Sequence, residues 1–169
     1  TLSVIIRNCS IGEYLNNALD TQPCSKCTRG TYGDEIGEQI SCKICQPGFS
    51  QNADGRGSCS ECIDGYYQEA SEQTSCIKCQ KGEFTNSGTG KLKCASCAAG
   101  KYGTDSGTCE YCARGKFSNK NGTQECTDCE SGKISSKIGS KFCTLCQKGR
   151  TTNNEVGQVN CEGFCPDGE

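Results

Sequence analysis

A cysteine followed three residues later by glycine recurs along the chain with a spacing of about 17 residues, and a short fixed period sets the architecture of a whole chain. The pairs are Cys9–Gly12, Cys27–Gly30, Cys45–Gly48, Cys62–Gly65, Cys79–Gly82, Cys97–Gly100, Cys112–Gly115, Cys129–Gly132 and Cys146–Gly149, with a tenth start at Cys165–Gly168. Each opening cysteine is answered by a closing one, and two residues separate that closer from the next opener. C-x-x-C pairs therefore run from Cys24/Cys27 to Cys143/Cys146. This ladder predicts tandem repeats over 9–161, bounded as 9–24, 27–42, 45–59, 62–76, 79–94, 97–109, 112–126, 129–143 and 146–161. Residues 1–8 read as the end of a preceding segment and 165–169 as the start of a further, truncated repeat. Thr1 at one end and a repeat cut at Glu169 read as a piece of a longer polypeptide.

Nineteen of the 169 residues are cysteine, above the ~8–10% that marks a disulfide scaffold. Leu, Ile, Val and Phe together number 23, too few for one continuous apolar core. Fixing each residue costs on the order of 1–2 kcal/mol of backbone entropy, while one buried aromatic returns only about 1.5–3 kcal/mol. Covalent cross-links have to supply the difference. A bond closing a loop of about 15 residues contributes on the order of 3 kcal/mol by restricting the unfolded chain.

In the unit from Cys79 to Cys94, Gly82 stands where the chain must bend just after a cross-linked residue, and glycine admits positive φ there. Phe84 follows, then a Gly/Asn/Ser-rich tip with turn chemistry and a return arm carrying Leu92. The unit reads as a short twisted hairpin pinned at its base. Frequent glycine and the lack of a sustained 3.6-residue period argue against helix. The fold class expected is thus small disulfide-rich repeats: tandem short β-hairpin or loop modules stacked into an elongated rod. Tyr14, Tyr32, Tyr67, Phe84, Tyr102 and Phe117 lie five residues after their openers and Phe49 four after. They are expected to cover the sulfurs as a miniature core; an aromatic recognition ladder is the sharper alternative. Ile134 and Thr151 take this slot in the last two units. Gly37, Gly55, Gly90, Gly107, Gly122, Gly139 and Gly157 read as turn or bulge positions near the return arm.

The same spacing approximates a four-cysteine zinc site. Against zinc stand the unbroken ladder, the lone Cys9 with Ile6 where a partner cysteine would sit, the C-x3-C at Cys161/Cys165, and the absence of histidine. Two disulfide schemes remain. Joining each opener to its own closer gives Cys9–Cys24, Cys27–Cys42, Cys45–Cys59, Cys62–Cys76, Cys79–Cys94, Cys97–Cys109, Cys112–Cys126, Cys129–Cys143 and Cys146–Cys161. It leaves Cys165 for a partner outside the segment and is favoured by the odd count. The rival interlocks neighbouring pairs, for example Cys24–Cys42 with Cys27–Cys45, and leaves three cysteines over.

The net charge is −2 with both signs scattered, so no nucleic-acid surface is expected. Lys133, Lys137 and Lys141 read as a solvated loop face. No apolar run reaches membrane-spanning length, and the Val4–Ile6 cluster is too short for a signal peptide. No cofactor and no enzymatic activity are expected: histidine is absent and no nucleophile sits beside a base. Asp34-Glu35 and Asn52-Ala53-Asp54-Gly55 lack the alternating oxygen ligands of a calcium loop. Two N-glycosylation acceptors occur, Asn121-Gly122-Thr123 in an exposed tip and Asn8-Cys9-Ser10, weaker because its middle residue is a cross-linking cysteine.

The string C-x2-C-x2-G-x-[YF]-x4–5-G-x3–4-C-x2-C resembles the ephrin-receptor-like cysteine-rich repeats over essentially residues 9–169. A single unit such as Cys9–Cys24 is similar to the one-disulfide modules of tumour necrosis factor receptors. The resemblance implies an extracellular, disulfide-bonded, EGF-like or receptor-like rod, and it supports opener-to-closer bonding. Ile6, the C-x3-C, Ile134 and Thr151 depart from the pattern. Two roles follow as expectations. One is a stiff spacer or a filament, matrix or coat component of a larger surface protein, with protein partners that include self-assembly into fibres. The other is a ligand-binding or adhesion ectodomain, with the short unit Cys97–Cys109 or Tyr66-Tyr67 as first suspects.

Overall fold

The computed structural model describes residues 8–16, 24–37, 39–85 and 90–164. Ile6, the 1–7 stretch, Cys165 and Gly168 lie outside the described residues, as do the pairing expected of Cys165 and the truncated repeat 165–169.

The described residues form no helix, only short antiparallel two-stranded hairpins. In the first, β1 (Glu13–Leu15) pairs with β2 (Cys24–Lys26), placing Tyr14 opposite Ser25. The second joins β3 (Thr31–Tyr32) to β4 (Lys43–Ile44). The pattern continues to the ninth, where Arg150–Thr151 pairs with Gly163–Phe164. In every hairpin the first arm carries the aromatic slot and the second arm is the residue pair between two cysteines. The second arms are short because a cysteine closes each residue pair on either side.

The chain divides into two compact units, Thr1–Lys78 with Asn86–Lys93, and Cys79–Thr85 with Cys94–Glu169. Within each, one set of backbone bonds joins successive repeats. The N–H of an opening cysteine donates to the carbonyl of the preceding repeat's slot glycine: Cys27 to Gly12, 2.8 Å, and Cys45 to Gly30, 2.9 Å, in the first unit; Cys112 to Gly100, 3.0 Å, and Cys129 to Gly115, 2.8 Å, in the second. The tip then reaches back. The N–H of Gly55 donates to Cys27 O at 2.7 Å, and that of Gly139 to Cys112 O at 2.7 Å. Hydrogen bonding that a sheet would supply between strands is here supplied between repeats, which satisfies otherwise orphaned backbone groups.

A second set of contacts skips one repeat. A β-carbon on Gly12 would overlap the carbonyl of Gly55, one on Gly30 that of Glu72, and one on Gly48 the backbone of Gly90. In the second unit, Gly82 lies against Gly122, Gly100 against Gly139 and Gly115 against Gly157. The slot glycine is therefore required twice over, by a positive φ (81° at Gly30) and by the next-but-one tip lying directly on its α-carbon.

Candidate functional site

Nine disulfides run through the described residues: Cys9–Cys24, Cys27–Cys42, Cys45–Cys59, Cys62–Cys76, Cys79–Cys94, Cys97–Cys109, Cys112–Cys126, Cys129–Cys143 and Cys146–Cys161. Their Cα separations of 5.5 to 5.8 Å sit at the mode for unstrained bridges. Cysteines held this way offer neither thiolate nucleophiles nor metal ligands.

The core differs from the one that aromatic placement predicts. Its buried apolar residues are the opening cysteines Cys9, Cys27, Cys45, Cys62, Cys79, Cys97, Cys112 and Cys129. The aromatics of the slot are only half-buried. What joins the sulfurs inside is polar: Gln51, Gln68, Thr85, Ser118, Ser135 and Thr152, each six residues after its opener. Gln68 Nε2 donates to Ser75 O at 2.8 Å, while its Oε1 accepts from Ala70 N–H at 3.1 Å. Gln51 does the same with Ser58 O, 2.7 Å, and Ala53 N–H, 3.1 Å. In later repeats a hydroxyl replaces the amide; Ser135 Oγ lies 2.7 Å from Ser140 Oγ and 3.1 Å from Lys137 O. The loops of Gln51, Gln68, Ser118, Ser135 and Thr152 are thus each folded around one polar side chain that bonds within its own loop. Among the described residues no buried side-chain polar atom lacks a partner. A buried amide needs such partners in full, so a short loop that provides them can do without an apolar centre.

With the rings displaced from the core, they line shallow grooves between successive hairpins. One of about 320 Å³ is bounded by Ser50, Tyr66, Ser75 and Cys76, and another of about 250 Å³ by Tyr32, Phe49, Ser58 and Cys59. In the second unit the equivalents contain Tyr102, Lys116 and Cys126, and Phe117, Lys133 and Cys143. The position is the same each time: slot residue of one repeat, the residue before the slot in the next, and that repeat's closing cysteine. Of the first suspects, Tyr66 borders such a groove while Tyr67 pairs with Ile77. The short repeat closes its tip with hydroxyls, Thr104 Oγ1 lying 2.7 Å from Ser106 Oγ and 2.8 Å from Thr108 Oγ1.

Charged groups pair at the surface. Lys43 Nζ lies 2.8 Å from both Asp34 Oδ1 and Glu35 Oε1, and its hydrogen bond holds the Asp34 carboxyl below the usual aspartate value. Lys133, part of the lysine series, lies 2.7 Å from Glu130 and lowers that carboxyl likewise. The Tyr102 hydroxyl donates to Glu110 at 2.9 Å, which raises its pKa. Among the ion-paired cations of the described residues Lys91 is the most enclosed: its side chain is 10% exposed, donates to Cys62 O at 3.0 Å and faces Asp64 at 3.2 Å. Among the described residues no three acidic, histidine or cysteine groups cluster to hold a metal ion. Asn121 is exposed, and its Oδ1 accepts from Ala99 N–H at 3.0 Å; Asn8 is exposed beside Gly37.

Residues 48–89 match the family described as tyrosine-protein kinase ephrin type A/B receptor-like. That stretch is similar to the ephrin-receptor-like repeats. It spans the third to fifth repeats, including the hairpins of Tyr66-Tyr67 and Glu83-Phe84. The same one-disulfide loop recurs nine times through the described residues. Disulfides at this density, with the ephrin-receptor-like match, point to an extracellular or cell-surface setting. No curated protein shows significant similarity to the chain. No helix among the described residues is long and apolar enough to cross a membrane.

Proposed function

We propose that this chain is an extracellular structural segment, a stiff disulfide-stapled spacer within a larger cell-surface or coat protein, made of nine repeats over 9–161. The observation that carries the reading is the doubled connection of the repeats. Within each unit a repeat is tied to the next by backbone hydrogen bonds and touches the next but one through its slot glycine. Only two residues, such as Ser25-Lys26, separate one bond from the next, and they are strand residues rather than a linker. Repeat arrays with such nearest-neighbour terms resist bending at any single joint. The exposed acceptor Asn121 suits a glycan: the amide oxygen caps Ala99 while Nδ2 is left for modification. Its partners are proteins, and it carries no catalytic role.

A receptor or adhesion ectodomain is the second reading. It is favoured by the family matched at residues 48–89 and by the row of aromatic-lined grooves. Small-angle X-ray scattering of the oxidised chain separates rigidity from flexibility. A spacer gives one maximum dimension, unchanged by ionic strength, and loses it on reduction. A broad distribution of sizes in the oxidised chain contradicts the spacer. Saturable binding of one soluble protein to a groove, abolished by Tyr66→Ser, favours the receptor.

A further inference from the structure

The grooves between successive hairpins differ in chemistry. Lys116 and Lys133, which line the grooves of Tyr102 and Phe117, are each matched by a carboxylate at 2.7 Å, Asp128 and Glu130. The Tyr32 groove sets a second ring, Phe49, beside Gln46 and Ser58. The Tyr66 groove is the richest of the four in neutral polar groups. One ring stands there among Ser50, Asn52, Ser60 and Ser75, with the Glu61 carboxylate beside them. Ser50 and Ser60 are register partners in the third hairpin, while Ser75 precedes the closing Cys76 of the fourth repeat. Ser50 Oγ lies 3.4 Å from Cys76 Sγ and so joins the two walls.

Most of these groups are unspent. The Asn52 amide and the Ser60 and Ser75 hydroxyls are exposed and make no side-chain hydrogen bond among the described residues. Glu61 accepts from Gly90 N–H through Oε1 at 3.2 Å, which leaves Oε2. The walls are already fixed, because Gln51 and Gln68 tie the two loops and each loop is closed by its own disulfide. A site that is rigid before binding loses less entropy when it is filled. Its volume of about 320 Å³ lies at the low end for small-ligand pockets, ~300–1,000 Å³.

The local charge narrows the ligand. Residues 57–77 carry four acids, Glu61, Asp64, Glu69 and Glu72, and no lysine or arginine. Lys91 reaches this region but is held by Asp64 at 3.2 Å and Cys62 O at 3.0 Å. A phosphate, sulfate or carboxylate ligand would therefore meet repulsion without a free cation to offset it. A wholly apolar ligand would strip water from hydroxyls and an amide that it has no means to bond. A neutral sugar suits both parts of the groove. Its C–H face is attracted to the negative face of an aromatic ring, and its hydroxyls both donate and accept. We propose that the Tyr66 groove binds a neutral pyranose unit of a surface or matrix polysaccharide. The unit stacks on Tyr66 and exchanges hydrogen bonds with Asn52, Ser60 and Glu61. A glycan ligand goes beyond the protein partners of the spacer reading.

Titration of the oxidised 169-residue chain, followed by its backbone amide resonances, tests it with neutral trisaccharides of glucose, mannose, galactose and N-acetylglucosamine. At least one is expected to shift Ser50, Ser60, Tyr66 and Ser75 saturably, with a Kd of ~1 mM, as one ring and a few neutral hydrogen bonds supply. Tyr66→Ala, with all nine disulfides intact by mass, is expected to weaken binding by roughly tenfold or more. Tyr66→Phe keeps the ring face and is expected to stay within about threefold of the parent. Asn52→Ala, at an exposed position, should lose about threefold to tenfold. Tyr102→Ala, in the second unit, should bind like the parent chain. No saturable shift from any of the four sugars up to ~20 mM overturns the proposal. So does a Tyr66→Ala chain that binds like the parent, or a Tyr66→Phe chain as weak as Tyr66→Ala. A sulfated trisaccharide that binds as tightly as its neutral counterpart overturns it as well. None of those results alters the scattering test, on which the spacer reading stands or falls separately.

Discussion

The α-carbon of Gly30 lies against the carbonyl of Glu72, a residue of the repeat two places further along the chain. A side chain at Gly30 meets two obstacles: a left-handed backbone conformation (φ 81°) and an immovable peptide group. Gly30→Ala is therefore expected to cost about 2–4 kcal/mol, strain and overpacking together. Gly149 shares the backbone conformation (φ 82°) but has no such neighbour among the described residues. Gly149→Ala should cost only the strain, about 1–2 kcal/mol. Hydrogen exchange of amides in the affected repeats measures both. Equal losses at the two positions would mean that the next-but-one contact contributes nothing.

Glu72 is itself unusual. It adopts φ 61° at the tip position where Gly55, Gly122 and Gly139 stand in other repeats, while keeping the bond from its N–H to Cys45 O at 2.8 Å. Glu72→Gly relieves the left-handed strain at some cost in unfolded-chain entropy. The expected net gain is up to about 1 kcal/mol. Slower exchange in the fourth repeat is the predicted sign; faster exchange contradicts it.

Gln68 is 4% exposed and spans its loop with two hydrogen bonds. Gln68→Ala strands Ser75 O and Ala70 N–H in a part-buried setting, at an expected loss of about 2–4 kcal/mol for that repeat. An equal loss on mutating the half-buried Tyr67 to alanine, with Gln68→Ala neutral, would return the core to the aromatics.

How far these features can be read from the residues varies with their cause. The hairpin class follows from Cys, Gly and turn residues at fixed offsets, because each acts locally. Gly37, Gly55, Gly90, Gly107, Gly122, Gly139 and Gly157 are legible as turn positions for the same reason, and all have positive φ. The aromatic ring positions were legible too, but not their partial exposure. The rings stay half-buried and the loop interior falls to the sulfurs with Gln51, Gln68 or Ser135. The signal for those was a polar residue recurring six places after the opener, which resembles ordinary turn composition. The contact of Gly12 with Gly55 was hidden because it joins repeats that are not adjacent. The grooves were hidden too, because they form only where successive hairpins pack together.

The Lys43 ion pairs make a pH prediction. The hydrogen bond from Lys43 holds the Asp34 carboxyl below its ordinary value of 3.8. A carboxyl with a lowered folded pKa contributes stability above its unfolded value and loses it as pH falls through the folded one. The Asp34 contact should therefore persist through pH 4 and disappear only below the ordinary aspartate range. Lys43 has its pKa raised by the same partners and stays charged throughout. In Lys43→Met the Asp34 titration, followed by its carboxyl carbon resonance, should move up to the ordinary value. An unchanged midpoint would remove Lys43 as the cause.

Disulfides closed within each short loop are the premise of the whole architecture, since they hold the loops that Gln68 and its counterparts fill and that the slot glycines stack. Peptide mapping of the native chain under non-reducing conditions tests this most directly. The predicted result is one linked pair per repeat, Cys9 with Cys24 through Cys146 with Cys161. Interlocked pairs such as Cys24 with Cys42, or free thiols at the opening cysteines, would contradict it.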